Sequence, residues 1–423
     1  MRCRHCDSKV KEPFVDLGAS PPANAYLSVE GLSAPEIYYP LRVLVCTNCW
    51  LVQTEDFARA DQLFGSDYAY FSSVSETWLK HAADYSQTII RRLNLNHGHL
   101  VIEVASNDGY LLKNFVAAGI PCLGIEPTES TAAAGERLLI PVLREFFGTA
   151  LATNLATEGR QADLIVGNNV FAHVPDINDF SIGLRTALKP NGVITLEFPH
   201  VMRLIEHTQF DTIYHEHFSY LSLHAVNHVF ASVGLRIWDV EELPTHGGSL
   251  RVYGCHVGAA HVENSDVARV LAEEARRGLL EVATYRSFQP RADRVKADLI
   301  TFLIEQKRAG RSVAAYGAAA KGNTLLNYAG VKPDLLPYVC DAAPSKQGKY
   351  LPGTRIPILH PDALRERRPD YVIILPWNIA DEVIGQHGYV REWGARFMAA
   401  VPELREISES VEVSADRRQS ASL

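Results

Sequence analysis

Two cysteine pairs constrain this chain before anything else does. Cys3-Arg-His-Cys6 and Cys46-Thr-Asn-Cys49 are CxxC knuckles roughly 40 residues apart, the spacing that lets two β-turns offer four thiolates to one tetrahedral zinc ion. His5, inside the first knuckle, could replace a ligand, but four thiolates do not need it. The segment between the knuckles is broken by Pro13, Gly18, Pro21, Pro22, Pro35 and Pro40 and is short of apolar residues. A bound metal is therefore expected to supply much of its folding energy. A closed four-cysteine site has no open position for chemistry, so residues 1–65 read as a structural zinc ribbon. Some ribbons read nucleic acid, but a net charge of -8 argues against that partner, whose binders carry a basic footprint.

With 423 residues the chain exceeds what one core serves, and two or three domains are expected. Hydrophobic residues at 47% and charged residues at 21% place it among ordinary folded soluble proteins. No apolar run approaches the roughly 18 residues of a membrane span, and the start carries no secretory h-region. The expectation is a cytoplasmic protein without a membrane partner. Seven cysteines, an odd number, fit ligands and reduced thiols better than disulfides.

After a bridge holding Tyr68 and Tyr70, a helical stretch runs from Glu76 to Leu95, and residues 66–200 then alternate strand and helix. His99 to Ala105 is an apolar strand; it breaks at Ser106-Asn107-Asp108-Gly109 and passes into a helix. Such a turn suits a nucleoside-bearing ligand at a helix N-terminus. Where a dinucleotide fingerprint would place three glycines only Gly109 remains, which disfavours a pyrophosphate and a nicotinamide oxidoreductase, and favours a smaller zwitterion. The next strand ends in Glu126, an acid placed to accept from ribose hydroxyls or, more plainly, to cap the following helix. A third strand ends at Asn168 and Asn169, and Lys189-Pro-Asn-Gly192 turns into a fourth, Val193 to Phe198. This order resembles the class I S-adenosylmethionine-dependent methyltransferases.

Between the halves, in residues 201–260, lies Ile213-Tyr-His-Glu-His-Phe-Ser-Tyr220. Its imidazoles titrate near neutrality, which suits removal of a proton next to a carbonyl. The same composition can ligate a metal, but His-Glu-His brings both rings to one side only on an extended strand; a purely structural role is the other alternative. Residues 261–407 open with helices from Glu263 to Glu305 and continue as a second Rossmann-like unit. There Tyr316-Gly-Ala-Ala-Ala-Lys321-Gly-Asn323-Thr makes a small-residue turn in which Lys321 could meet a pyrophosphate, or which simply packs strand against helix. Residues 408–423 are polar and aperiodic, and a mobile tail is expected there.

The double CxxC ribbon, Glu103-Val-Ala-Ser-Asn-Asp-Gly-Tyr-Leu-Leu, Asn169-Val-Phe-Ala-His-Val-Pro-Asp, Tyr-His-Glu-His-Phe and Tyr-Gly-Ala-Ala-Ala-Lys-Gly-Asn-Thr together resemble the sugar C-methyltransferases of deoxysugar biosynthesis. The resemblance spans nearly the whole chain. It implies an α/β protein with a zinc ribbon, a class I methyltransferase domain and a second Rossmann-like domain. It further implies C-methylation of a nucleotide-linked 4-keto-6-deoxyhexose, taken as the dTDP sugar, at C-3, with C-5 as the alternative flank of the ketone. His217 would be the general base, Glu216 and Tyr214 would orient it or the enolate, and Tyr68 and His173 would line the same pocket. Glu103, Ser106, Asn107, Asp108, Gly109, Glu126 and Asn169 would hold S-adenosylmethionine; Tyr316, Lys321 and Asn323 would hold the sugar nucleotide; Cys3, Cys6, Cys46 and Cys49 would hold zinc. Ala105 stands where glycine is expected. The chain would act as a monomer or homodimer, and a non-catalytic ribbon scaffold or nucleic-acid binder is the rival from another class.

Overall fold

The computed structural model describes residues 1–57 and 71–407. Tyr68 and the expected tail at 408–423 lie outside the described residues. Three sheets organise the molecule. The largest has seven strands in the order Leu235–Leu243, Ser249–His256, Leu188–Pro199, Ala162–Asn168, Val101–Val104, Cys122–Ile125 and Val142–Leu143. Its last five strands are parallel, and its first two are joined antiparallel to the rest. Val101–Val104 and Cys122–Ile125 are buried along their whole length, as continuous apolar runs in a sheet covered on both faces must be. The helix Glu76–Leu93 covers one face; Ser75 caps it by accepting from the Trp78 amide, and Asn94 ends it in the left-handed conformation.

This sheet does not stop at residue 200. Its strands Leu235–Leu243 and Ser249–His256 lie inside the stretch 201–260 that the sequence sets apart, so that stretch is partly methyltransferase sheet and partly an insertion, 200–234, carrying the histidines. The Lys189–Gly192 turn is also absorbed: strand Leu188–Pro199 starts irregularly, and its pairing with Ala162–Asn168 slips register there.

The second sheet pairs Glu12–Ser20, Tyr39–Val45 and Val52–Thr54 antiparallel, and its fourth strand, Ser219–Tyr220, comes from the insertion. The third is a Rossmann-like sheet in the order Ile358–Leu359, Val339–Cys340, Val313–Tyr316, Tyr371–Ile374, Arg396–Ala399 and Arg405–Glu406. The expectation that the ribbon lacks an apolar core of its own meets a different solution from metal alone. Phe14, Val15, Leu41 and Val43 are buried in one cluster with Phe288, Leu299 and Leu303 of the carboxyl-terminal unit, and Phe14 stacks on Phe288 with ring centroids 4.5 Å apart. Among the described residues no helix is long and apolar enough to cross a membrane.

Candidate active site

The three units meet around a cavity of about 750 Å³. At one end the methyltransferase sheet presents the carboxyl ends of its central strands. Chain reversal after Val104 requires Ala105 and Asn107 to take left-handed φ values of 56° and 49°, a conformation that costs an L-residue about 1–2 kcal/mol and explains why glycine is the expected occupant of position 105. Gly109 has φ +79°, and a Cβ there would stand 2.5 Å from Ile140 Cδ1. Glu126 accepts from the backbone amides of Asn107 at 3.0 Å and Thr128 at 2.9 Å, so both carboxylate oxygens are fixed at the cavity wall with lone pairs to spare.

Asn107, Glu126, Asn168 and Asn169 all line this end. The Asn168 amide nitrogen and oxygen and the Asn169 Oδ1 are buried without a hydrogen-bond partner. Buried polar atoms left open in a cavity are what a ligand with complementary donors and acceptors completes, and a zwitterionic nucleoside has both. Glu103, Ser106, Asp108 and Gly109 do not line the cavity. Glu103 is buried beneath it, where burial and then Asp108 and Glu126 hold its carboxyl well above the usual range; Asp108 accepts from the Ser73 amide at 3.0 Å. These four shape the turn from behind.

At the other end stand the residues of the insertion. His217 is buried, and its Nδ1 lies 2.8 Å from the Thr212 carbonyl oxygen. A carbonyl only accepts, so Nδ1 carries the proton and donates, and Nε2 is left as the bare, basic nitrogen. Burial, then the charges of His173 and Lys321, hold this imidazole well below its ordinary range, so it stays neutral. Tyr214 lies against the ring at 4.0 Å between centroids, and His173 meets it edge-on at 4.6 Å; burial lowers His173 to about 4. The Glu216 carboxyl, pushed up to about 7 by burial, accepts from the Asn24 side chain at 2.8 Å. The sequence places Tyr214, Glu216 and His217 close together; the structure brings His173 to the same wall. His215 points elsewhere, toward the Tyr39 carbonyl, so the two histidines of His-Glu-His do not face one metal.

Of the three residues assigned to the sugar nucleotide, Lys321 lines the cavity and the other two do not. Tyr316 is buried against His387, ring centroids 4.4 Å apart, and Asn323 donates to the Ala23 carbonyl, tying the ribbon to the carboxyl-terminal unit.

Away from the cavity, the Cys3, Cys6, Cys46 and Cys49 sulfurs all lie within 4.8 Å of one another, with Cys3 to Cys49 at 3.5 Å and Cys6 to Cys46 at 3.6 Å. Zinc–sulfur bonds of about 2.3 Å put tetrahedral sulfurs about 3.8 Å apart, so the four thiols fit zinc with little movement. Gln53, buried, donates to Cys3 Sγ at 3.3 Å, the kind of outer hydrogen bond that orients a ligand.

Family models match this chain in three adjoining parts: a zinc binding domain over residues 3–64, a methyltransferase domain over 78–240 and a C-methyltransferase C-terminal domain over 244–402. C-methyltransferase NovU of Streptomyces niveus is 36% identical over 406 residues, covering 96% of this chain and 96% of that protein. The chain belongs to the C-methyltransferase family. An uncharacterized methyltransferase of Mycobacterium leprae (strain TN) is 26% identical over 102 residues, 24% of this chain and 37% of its own. Among solved structures, PH0226 protein from Pyrococcus horikoshii shares 12% identity with a TM-score of 0.37, over 44% of this chain and 95% of that one.

This C-methyltransferase is thus an S-adenosylmethionine-dependent enzyme with a zinc-binding amino-terminal domain. Several residues of its cavity escaped the sequence reading. Asn24 and Tyr26 enter from the ribbon, His246 from the turn between strands Leu235–Leu243 and Ser249–His256, and Asn378 from the carboxyl-terminal unit. His246 takes a left-handed φ of 54° and its Nε2 accepts from the Asn169 side-chain amide at 3.2 Å. Thr-His-Gly-Gly, a histidine beside two glycines, is a signal that could have been weighed. For Asn24, in Pro-Pro-Ala-Asn-Ala-Tyr, there is no comparable local signal.

Proposed function

We propose that this C-methyltransferase methylates the carbon beside the C-4 ketone of a dTDP-linked 4-keto-6-deoxyhexose, at C-3, in the biosynthesis of a branched deoxysugar. The relative NovU supports C-methylation, and the motifs that resemble the sugar C-methyltransferases support the substrate class. The observation that carries the chemistry is the hydrogen bond from His217 Nδ1 to the Thr212 carbonyl, which leaves a neutral Nε2 in the cavity that Glu126 and Asn169 also line.

S-adenosylmethionine, when bound, supplies an electrophilic methyl group on a sulfonium. Glu126 would hold its ribose, and Asn107, Asn168 and Asn169 would complete its polar contacts. His217 Nε2 takes the proton from the carbon next to the ketone. Such a proton is far too weakly acidic for imidazole in water, so hydrogen-bond donors must meet the oxygen that becomes negative; each is worth about 3 kcal/mol in comparable sites. Tyr214 orients the imidazole by packing against it at an interplanar angle of 33°. Glu216, with its carboxyl at about 7, is partly protonated at neutral pH and can donate. Residues from three units line the site and would fix the reacting atoms, a positioning that supplies much of the acceleration of a two-partner reaction.

Solvent deuterium incorporation into the sugar nucleotide, followed by NMR, tests this. Exchange at C-3 that vanishes in His217→Ala is the expected result. Exchange at C-5 would move the reaction to the other flank of the ketone with the same base, and a 4-ketosugar that binds but neither exchanges nor accepts a methyl group from the labelled cofactor would sink the reading.

A further inference from the structure

Lys321 is a cation with no use in the chemistry so far. It stands in the first turn of helix Ala320–Ala329, and its ammonium opens on the cavity. It donates to Asn378 Oδ1 at 2.8 Å and rides 4.6 Å over the Trp377 ring. Among the described residues it forms no ion pair. Lys346, the other lysine on the cavity wall, does: its ammonium is 3.4 Å from Asp341. The balancing charge of Lys321 is Asp211, which acts on the ammonium through space without a direct ion pair, so the cation is left able to meet a further anion in the cavity that it lines.

The surroundings say which anion. Asp211 and Thr212 are adjacent residues. Asp211 accepts from Trp377 Nε1 at 2.7 Å and so fixes the ring beneath the ammonium; Thr212, next in the chain, fixes the His217 imidazole through its carbonyl. Base and cation therefore share one frame. Lys321 also lies close enough to lower the proton affinity of both His217 and His246. Its charge bears on the reacting end of the cavity.

The geometry points to Lys321 as the group that stabilises the enolate oxygen of the substrate, rather than as a diphosphate contact. The assignment rests on the ketosugar reading above. The carbon–hydrogen bond beside the ketone breaks and its proton passes to His217 Nε2. The electron pair left behind becomes a carbon–carbon π bond, and the carbonyl π pair moves onto oxygen. Lys321 donates a hydrogen bond to that oxygen and keeps its proton; the proton on His217 exchanges with solvent.

The test compares wild type with Lys321→Met and Lys321→Arg. Three quantities are read: the rate of deuterium incorporation beside the ketone of a saturating dTDP-linked 4-keto-6-deoxyhexose with S-adenosylhomocysteine present, the dissociation constant of that sugar nucleotide, and the dissociation constant of dTDP alone. Lys321→Met should slow exchange 10²–10³-fold while dTDP binds within threefold of wild type, and Lys321→Arg should recover part of the rate. A tenfold or larger loss of dTDP affinity with exchange intact at saturation would assign Lys321 to the diphosphate and overturn the proposal. Unchanged exchange would overturn it too. If Lys321→Met does not fold, as judged by its thermal midpoint, Lys321→Gln carries the same comparison. A wild type that binds the sugar nucleotide yet neither exchanges nor methylates it refutes the ketosugar reading itself, a result distinct from a defect confined to the variants.

Discussion

At the scale of single residues, the proposed chemistry depends on which nitrogen of His217 is bare. His217→Ala removes that nitrogen but nothing that touches Glu126 or Asn169. Methylation should fall by 10²-fold or more while calorimetry finds S-adenosylmethionine affinity within about twofold; parallel loss of both would make the histidine a structural one. Glu216 offers a second check. Burial raises its carboxyl from 4.5 to about 7 in the folded protein, so the native state holds a proton that the unfolded chain releases. Its contribution to stability is complete below about pH 4.5 and is lost as pH rises through 7. Glu216→Gln cannot ionise. Its stability advantage over wild type should therefore grow from pH 4.5 to beyond 7, toward about 3 kcal/mol at one pKa unit per 1.4 kcal/mol, measured by urea melts at a series of pH values. The tyrosine–histidine–glutamate–histidine run stood out in the sequence because the residue types crowd together, and Tyr214, Glu216 and His217 do line the cavity. Which histidine turns inward was not, since that is decided by Thr212 and Tyr39 carbonyls distant in sequence or hidden in the backbone. Glu103 and Tyr316 lie near strand ends and Asn323 on the helix that follows the second of them, but which way such a side chain turns depends on what packs behind it.

Among the elements, the short strand Ser219–Tyr220 matters beyond its length. It docks on ribbon strand Val52–Thr54, and Thr54 Oγ1 donates to the His217 carbonyl at 3.1 Å. The ribbon thus grips the backbone of the proposed base. Thr54→Val should cost about 1 kcal/mol of stability and lower kcat severalfold with little change in KM; a change in KM alone would speak against it. Stripping zinc with a strong chelator should raise amide exchange at 52–54 and 219–220, while Glu12–Ser20 and Tyr39–Val45 stay protected by their buried Phe14, Val15, Leu41 and Val43. Wholesale loss of protection in those two strands would restore the metal as the main source of folding energy. Gly247 has φ +86°, and a Cβ there would stand 2.4 Å from Trp377 Cη2. Gly247→Ala should cost upward of about 2 kcal/mol and displace His246. Val101–Val104, Cys122–Ile125 and Ala162–Asn168 were legible because they are unbroken apolar runs; the two-residue strand Val142–Leu143 was not read, and neither were Leu235–Leu243 and Ser249–His256, which Glu241 and Arg251 interrupt. Arg251 is admitted to the interior by Glu197, 2.7 Å away, a partner that periodicity does not reveal.

At the scale of the whole molecule, the ribbon and the carboxyl-terminal unit share one apolar cluster although they lie at opposite ends of the chain. Phe288→Ala, which empties a fully buried position at 0% exposure, should cost about 3–5 kcal/mol and reduce zinc retention together with the protection of helix Gln289–Arg308. Zinc held as tightly as in wild type would mean that the two units are energetically separate. Three domains, in order, were visible in the sequence, since each repeats its own pattern; their mutual packing was not, because an interface has no period. That arrangement also sets an order of events during synthesis. The large sheet is complete once His256 has emerged, while Lys321 and Asn378 are still unmade. Domains fold as units while the chain is being made, so a cofactor half assembled on the ribosome stands open to water until its last third arrives to close the cavity. Enclosure of the reacting centre is then also a mark of a finished chain.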